Sequence, residues 1–187
     1  MKCDPVDSDR TNLFALVSYI PGALGEFLDR LREELVAGCN PNAHVTVLPP
    51  RPLDTDIEAD KRIIRRDLEV FVPFQVDIDR IQIFDQTNVV YGAIGRGRKE
   101  LEQMHDALNR DGLWFQEPYE YHPHVTLAQG LDPEVVPAVF ELAQRRWQES
   151  APARSFVVDE LAFVQNTGST NWIDLAEFEL TPVRVRR

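Results

Sequence analysis

The chain has 187 residues, of which 43% are hydrophobic and 27% are charged. This length favours a single domain, and a chain of this size buries about 70% of the surface that its unfolded form exposes. The composition is typical of a folded globular protein and excludes a disordered, collagen-like or coiled-coil chain. No run of roughly 18 apolar residues occurs, so we expect no transmembrane helix and no membrane partner.

The charge is strongly acidic, with 31 Asp and Glu against 20 Lys and Arg and a net charge of -11. Neutralisation of phosphates drives the binding of long nucleic acids, so we expect no long duplex as a partner. A small nucleotide or an RNA terminus, held in a local pocket, remains compatible with this charge. The two cysteines, Cys3 and Cys39, predict reduced thiols and a cytoplasmic protein rather than a disulfide framework.

Strands and helices are predicted to alternate along the first half of the chain. The polar segment Met1–Asn12, which has no apolar signal core, is predicted to be a flexible start. The elements that follow are, in order, a strand over Leu13–Ile20, a helix from Leu24 to Leu35 that stops at Gly38, a strand over Ala43–Leu48 closed by Pro49-Pro50, a helix over Ile57–Val70, and a hairpin of Phe74–Phe84 and Val89–Ile94.

The second half is predicted to repeat this plan. Its elements are, in order, a helix marked by Leu101, Met104, His105 and Leu108, a strand over Pro123–Ala128, a helix from Val135 to Trp147 opened by Asp132-Pro133, and a hairpin of Phe156–Gln165 and Asn171–Leu180.

Two short segments of the first half recur in the second. His44-Val45-Thr46-Val47 recurs as His124-Val125-Thr126-Leu127, and Phe74-Gln75-Val76-Asp77 recurs as Phe156-Val157-Val158-Asp159. A repeat with two copies in a matched order of elements predicts a pair of lobes related by a pseudo-twofold axis, rather than a solenoid.

The two His-Val-Thr segments point to acid–base chemistry. Side chains alternate between the two faces of a strand, so each strand presents an imidazole and a hydroxyl on one face and aliphatic side chains on the other. Because histidine titrates near neutrality, one imidazole can remove a proton while the other donates one. The hydroxyls of Thr46 and Thr126 can donate hydrogen bonds to phosphate oxygens. His44 and His124 are therefore the candidate catalytic pair for a phosphate ester.

The histidines also have interpretations that involve no catalysis. A single histidine on a strand is more often a packed or surface residue, and only the duplication argues otherwise. A zinc site is disfavoured because neither histidine has a carboxylate or thiolate at ligand spacing, so we expect no metal and no cofactor. His122 is interpreted either as a strand-edge residue held by Pro123 or as a residue that shares the face of His124, and His105 is expected to be a core residue.

The paired segments resemble the twin His-x-Thr motifs of the 2H phosphoesterase superfamily, which includes bacterial 2′-5′ RNA ligase-like proteins and cyclic nucleotide phosphodiesterases. The resemblance covers most of the chain and implies one bilobal domain of the α+β class. Each lobe would be an antiparallel sheet with helices packed outside, and a cleft would lie between the lobes. His44 and His124 would be catalytic, and Thr46 and Thr126 would bind phosphate. The segment Ala128-Gln129-Gly130 lacks the basic residue that some members carry after the second motif.

The resemblance implies action on 2′,3′-cyclic phosphates or on 2′-5′-linked nucleotides. A module that binds a nucleotide or an RNA end without turnover is the alternative, and a lipid- or sugar-phosphate esterase is a third. Arg51 is a possible substrate ligand, or else a solvated loop residue. His122 and Tyr121 are further possible ligands. The aromatic residues Trp114, Phe115, Tyr119 and Tyr121 are interpreted either as a stacking surface for a base or as packing between the lobes.

Overall fold

The computed structural model describes residues 10–39, 42–53, 56–150, 152–168 and 171–181. Cys3 and most of the predicted flexible start lie outside these residues. Thr11 and Asn12 belong to the fold: the Thr11 amide donates to the Asn166 carbonyl at 3.0 Å, and the Asn12 side chain accepts from the Leu53 amide at 3.2 Å. Within the described residues, no helix is long and apolar enough to cross a membrane.

The predicted alternation of strands and helices is present. The strands are β1 (Phe14–Tyr19), β2 (His44–Arg51), β3 (Phe74–Phe84), β4 (Val89–Ile94), β5 (His124–Ala128), β6 (Ser155–Val158), β7 (Glu160–Asn166) and β8 (Trp172–Glu179). The helices are α1 (Gly22–Leu35), α2 (Ile57–Leu68), α3 (Arg98–Leu108) and α4 (Val136–Ser150), and a single 3₁₀ turn covers Asp111–Leu113.

The described strands form two four-stranded antiparallel sheets. The first sheet has the order β2-β1-β7-β8, and the second has the order β5-β4-β3-β6. The two motif strands, β2 and β5, therefore stand at one edge of each sheet, and each has as its neighbour the strand that precedes it in the chain. This arrangement confirms the α+β class and the two lobes with helices outside their sheets.

The lobes are not the two sequential halves of the chain. β7 and β8, from the C-terminal part, complete the first sheet beside β1. The recurrence of Phe74–Asp77 as Phe156–Asp159 was therefore wrongly interpreted as one segment in each lobe. Phe74 pairs with Val158 and Val76 pairs with Phe156, so the two similar segments are antiparallel neighbours in one sheet. Similar sequences arise here because both strands bury the same face against the same core.

Two predicted boundaries were also wrong. The strand predicted over Phe156–Gln165 is divided at Asp159, where the chain passes from the second sheet to the first. Strand β2 does not close at Pro49-Pro50 but runs to Arg51, which pairs with Phe14 across a register shift. Prolines are tolerated there because β2 is an edge strand, and an irregular edge does not require every N–H to donate.

The helices cross from one lobe to the other. α1 follows β1 of the first sheet but packs against β5 and α4 of the second lobe, and α3 follows β4 of the second sheet but packs against β2 of the first. α4 covers β3 and β4, and α2 packs against β8 and α3. One continuous apolar cluster therefore runs through both lobes, and it includes the inward residues Val45, Val47, Val125 and Leu127.

Gly25 allows α1 to pass close to the end of β1. A Cβ atom at this position would lie 1.9 Å from the carbonyl oxygen of Ile20. Helix propensity alone favours alanine over glycine by about 1 kcal/mol, but overpacking costs about 1–3 kcal/mol. We therefore expect Gly25→Ala to lower the free energy of unfolding, measured by urea denaturation. Glu33→Ala, an exposed change in the same helix, should change it by about 0.5 kcal/mol or less; stabilisation by Gly25→Ala would contradict this packing.

Candidate active site

The two motif strands meet where the lobes meet, since β2 packs against β5. Val45 and Val47 of β2 are fully buried in the shared core, whereas His44 and Thr46 lie on the opposite face and are partly exposed. The same alternation holds in β5, where Val125 and Leu127 are buried and His124 and Thr126 are partly exposed. The predicted separation of polar and aliphatic faces is therefore present on both strands.

Each motif histidine is held in the same tautomer by the residue two positions before it. Nδ1 of His44 lies 2.8 Å from the backbone oxygen of Asn42, and Nδ1 of His124 lies 2.7 Å from the backbone oxygen of His122. A carbonyl oxygen only accepts hydrogen bonds, so Nδ1 carries the proton in both rings. Nε2 of each neutral imidazole is then left with a lone pair, ready to accept a proton.

The surroundings of the two imidazoles lower the pKa of both. Burial lowers the pKa of His44, and the charges of Arg32 and His124 lower it further, against the opposing effects of the Asn42 hydrogen bond and Asp29. Burial likewise lowers the pKa of His124, opposed by its hydrogen bond to the His122 carbonyl. A group whose charged form is disfavoured by burial stays neutral at lower pH than usual, so both imidazoles are bases of reduced strength.

Helix α1 positions the turn before His44. Asn42 has a left-handed backbone conformation, with φ of 85°. Asp29 of α1 accepts hydrogen bonds from the amides of Asn42 and Ala43 at 2.8 and 2.6 Å, and Arg32 donates to the Asn42 carbonyl at 3.3 Å. Sequence reasoning missed Asp29 and Arg32, because nothing in a polar helix face shows which loop it contacts.

Aromatic rings flank each histidine. Phe84 and Tyr91 stack with centroids 3.9 Å apart, and both meet His124 nearly at right angles, at 4.9 and 5.4 Å. Tyr19 meets His44 edge-on at 6.3 Å. Sequence reasoning did not assign these three rings to the site. A signal was available for Tyr91: it lies in the strand that precedes the second motif, just as Tyr19 lies in the strand that precedes the first motif.

Arg51 is not the solvated loop residue that one interpretation expected. Its exposed fraction is 1%. Its guanidinium donates to the carbonyls of Pro49 and Leu113 at 2.9 and 3.1 Å, to the Asn109 side chain at 2.7 Å, and to Glu117, with which it forms a buried ion pair. Because every nitrogen of this group is engaged, we do not propose Arg51 as a substrate ligand.

Glu117 connects this ion pair to the first motif. It also accepts a hydrogen bond from Nε2 of His105 at 3.0 Å, and the buried ring of His105 stacks on Tyr121 with centroids 4.0 Å apart and planes inclined by 4°. The Tyr121 hydroxyl then donates to the Thr46 carbonyl at 2.8 Å. Tyr121 therefore links the segment that precedes the second motif to strand β2, which carries the first motif. This contact occupies its hydroxyl.

The other predicted ligands are dispersed. His122 is partly exposed and contacts the rings of Phe84 and Tyr91 edge-on at 5.2 and 5.8 Å. Phe115 lies under the guanidinium of Arg51, whereas Trp114 and Tyr119 are 62% and 58% exposed. The four aromatic residues before the second motif thus differ in their surroundings. Among the described residues, no three His, Cys, Asp or Glu side chains are grouped as a metal site would require.

The buried ion pair generates a stability prediction. Arg51→Met removes one partner and leaves the Glu117 carboxylate buried without its counterion, which typically costs about 3–5 kcal/mol. Urea denaturation at neutral pH should show this loss. Arg66→Met, which removes an exposed arginine paired with Asp67, should lower the free energy of unfolding far less, because solvent screens an exposed ion pair. Equal and small effects of the two substitutions would contradict a structural role for Arg51.

Comparison with known proteins identifies proteins that are similar to this chain in sequence and in structure. A Staphylococcus haemolyticus protein that carries a phosphoesterase name is 28% identical over 88 residues, which are 46% of this chain and 52% of that protein. The match thus spans about half the length of that curated relative.

Solved structures share the fold over almost the whole chain. Escherichia coli LigT in complex with 3′-AMP superposes with a TM-score of 0.63 at 17% identity, covering 91% of this chain and 99% of that one. Kluyveromyces marxianus Usb1 superposes with a TM-score of 0.57 at 14% identity, covering 89% and 98%. The family model described as the 2′-5′ RNA ligase superfamily matches residues 20–170. The chain therefore belongs to the 2′-5′ RNA ligase superfamily.

Proposed function

We propose that the protein is a metal-independent phosphoesterase that opens a 2′,3′-cyclic phosphate, or cleaves a 2′-5′ link, at a nucleotide or RNA end. The observation that carries the proposal is the pair of imidazoles on adjoining edge strands, each with Nδ1–H bonded to a backbone carbonyl and Nε2 left to react. Membership of the superfamily supports it. A cytoplasmic location, in keeping with reduced cysteines, forms part of the proposal.

The reaction needs one histidine in each protonation state. The neutral imidazole accepts a proton at Nε2 from the attacking water as the new O–P bond forms. The protonated imidazole gives its Nε2 proton to the 3′ oxygen as the P–O3′ bond breaks, which leaves a 2′-phosphate and a free 3′ hydroxyl. Each proton transfer typically contributes about 10²–10⁴ in rate.

The threonine hydroxyls stabilise the phosphate in this scheme. Thr46 and Thr126 share the strand face of His44 and His124 and are partly exposed, as the histidines are. Their hydroxyls donate to the non-bridging oxygens, on which negative charge increases in the transition state. The similar motifs make the two halves of the site nearly interchangeable, so either histidine is suited to either role.

The ligands of the structural neighbours favour nucleotides as substrates. LigT was solved with 3′-AMP, and Usb1 was solved with uridine monophosphate. Both ligands are nucleoside monophosphates. We extend this substrate class to the present chain.

Turnover of the four 2′,3′-cyclic nucleotides in the presence of EDTA tests the proposal. Chromatography that separates 2′- from 3′-phosphates should show a 2′-phosphate. His44→Ala and His124→Ala should each lower kcat by about 10²–10⁴, because each removes one proton transfer. Their combined loss should fall short of the product of the single losses, since the two groups act as a unit.

Glu33→Ala provides the control for preparation and folding, since this side chain is exposed on α1. Binding of 2′-AMP without product from any of the four substrates, or from a 2′-5′-linked dinucleotide, would contradict an enzyme and support a nucleotide-binding module. Turnover that persists in both histidine variants would contradict the two-histidine mechanism.

The lowered pKa values of both histidines predict the pH dependence. The pH dependence of kcat/KM reports the ionisation of groups in the free enzyme. kcat/KM rises with pH as the first proton leaves the histidine pair, and it falls as the second proton leaves. Because burial lowers the pKa of both His44 and His124 below the ordinary value of 6.5, the maximum of the bell should lie below about pH 6.5. A maximum above about pH 7.5, or a profile with one limb, would contradict this arrangement.

A further inference from the structure

Strand pairing places an arginine in line with the second motif. His124 pairs with Ala93, and Ala93 pairs with Arg80, so the three side chains project from one face of the second sheet. Neighbouring strands are about 4.8 Å apart, which puts the Cα atom of Arg80 about 10 Å from that of His124. Ala93 lies between them and is small and buried, with an exposed fraction of 8%.

The Arg80 side chain is exposed and makes neither an ion pair nor a hydrogen bond with the residues that the structure describes. Arg98, at the start of α3, approaches the same region: its guanidinium lies 3.5 Å from Nδ1 of His122, while its Nε donates to Glu102 at 2.8 Å. Burial raises the pKa of the Tyr91 hydroxyl, and the charges of Arg80 and Arg98 oppose this rise while Asp85 adds to it. Two guanidinium groups therefore lie near Tyr91, and that of Arg80 has no counterion in the part of the chain that the structure describes.

The corresponding face of the first sheet is acidic. Thr46 pairs with Val17, Val17 with Ala162, and Ala162 with Glu177, which ends that row. Tyr19, beside His44, donates its hydroxyl to Asp174 at 2.7 Å. The two guanidinium groups of the second lobe thus contrast with Asp174 and Glu177 of the first. In a chain of net charge -11, we expect an anion longer than one phosphate to extend over the second lobe.

The chemistry of the reacting group limits where a second phosphate is attached. A 2′,3′-cyclic phosphate occupies both ribose oxygens on that side, so the 5′ oxygen is the ribose position that remains. It carries a monoester in a 5′-phosphorylated nucleotide and a diester at an RNA terminus.

We propose that Arg80, with Arg98 beside it, forms a subsite for the 5′ phosphate of the nucleotide whose reacting phosphate lies between His44 and His124. This assignment rests on the proposed function for the position of the reacting phosphate. The subsite orients the substrate along the second lobe, and it supplies from β3 a cation that the segment after the second motif lacks.

Isothermal titration calorimetry with adenosine 2′,5′-bisphosphate and adenosine 2′-monophosphate tests the subsite apart from turnover. The wild type should bind the bisphosphate roughly 10-fold more tightly, because the guanidinium donates charge-assisted hydrogen bonds to the second phosphate. Arg80→Gln should reduce the ratio of the two affinities to below about 2. Arg62→Gln removes the same charge from an exposed position on α2 and should preserve the wild-type ratio.

Three results would overturn the proposal: equal affinities in the wild type, a ratio that survives Arg80→Gln, or an equal loss of affinity for both ligands, which would place Arg80 on the reacting phosphate. An Arg80-dependent ratio in a protein that turns over neither a cyclic nucleotide nor a 2′-5′-linked dinucleotide would uphold the subsite and refute the proposed function. A dinucleotide that ends in adenosine 2′-phosphate forms a third arm. Arg80-dependent preference for it over the monophosphate identifies an RNA terminus as the source of the 5′ phosphate, and preference for the bisphosphate alone identifies a free nucleotide.

Discussion

The hydrogen bond from Nδ1–H of each motif histidine to the carbonyl two residues before it determines what the site can do. It fixes the tautomer and the direction of the ring, and so it leaves the Nε2 lone pair of both imidazoles able to accept a proton. A carboxylate in place of the carbonyl would stabilise an imidazolium more strongly and raise its pKa. With a neutral carbonyl and substantial burial, both imidazoles instead remain weak bases that exchange protons with a substrate near neutral pH.

The fold protects these two hydrogen bonds by placing the motif strands at sheet edges that pack against each other. The aliphatic side chains between the motif residues anchor both strands in one core. Asp29 and Arg32 hold the turn before His44, and the contact from Tyr121 to the Thr46 carbonyl joins the two lobes at the site. The helices that cross between the lobes add further contacts that hold the two motif strands together.

Local patterns in the sequence predicted the elements and the faces of the motif strands, because alternation with period two is a local property. They did not predict which strands share a sheet. β1 and β7 are separated by most of the chain, and the pairing of strands so distant in sequence is not visible in any local pattern. The burial of Arg51 was missed because its partners Asn109, Leu113 and Glu117 lie far away in sequence. Arg80 was missed because its significance lies in a row of paired residues across three strands.

The tautomers of His44 and His124 are the most direct test of the account. Nitrogen-15 NMR of the histidine rings, titrated with pH and with 2′-AMP, distinguishes protonated from unprotonated ring nitrogens. The account predicts protonated Nδ1 and unprotonated Nε2 in both free rings at pH 7.5, apparent pKa values of the pair below about 6.5, and a shift of both Nε2 signals when 2′-AMP binds. A protonated Nε2 in either neutral ring, or a nucleotide that leaves both signals unchanged, would contradict it.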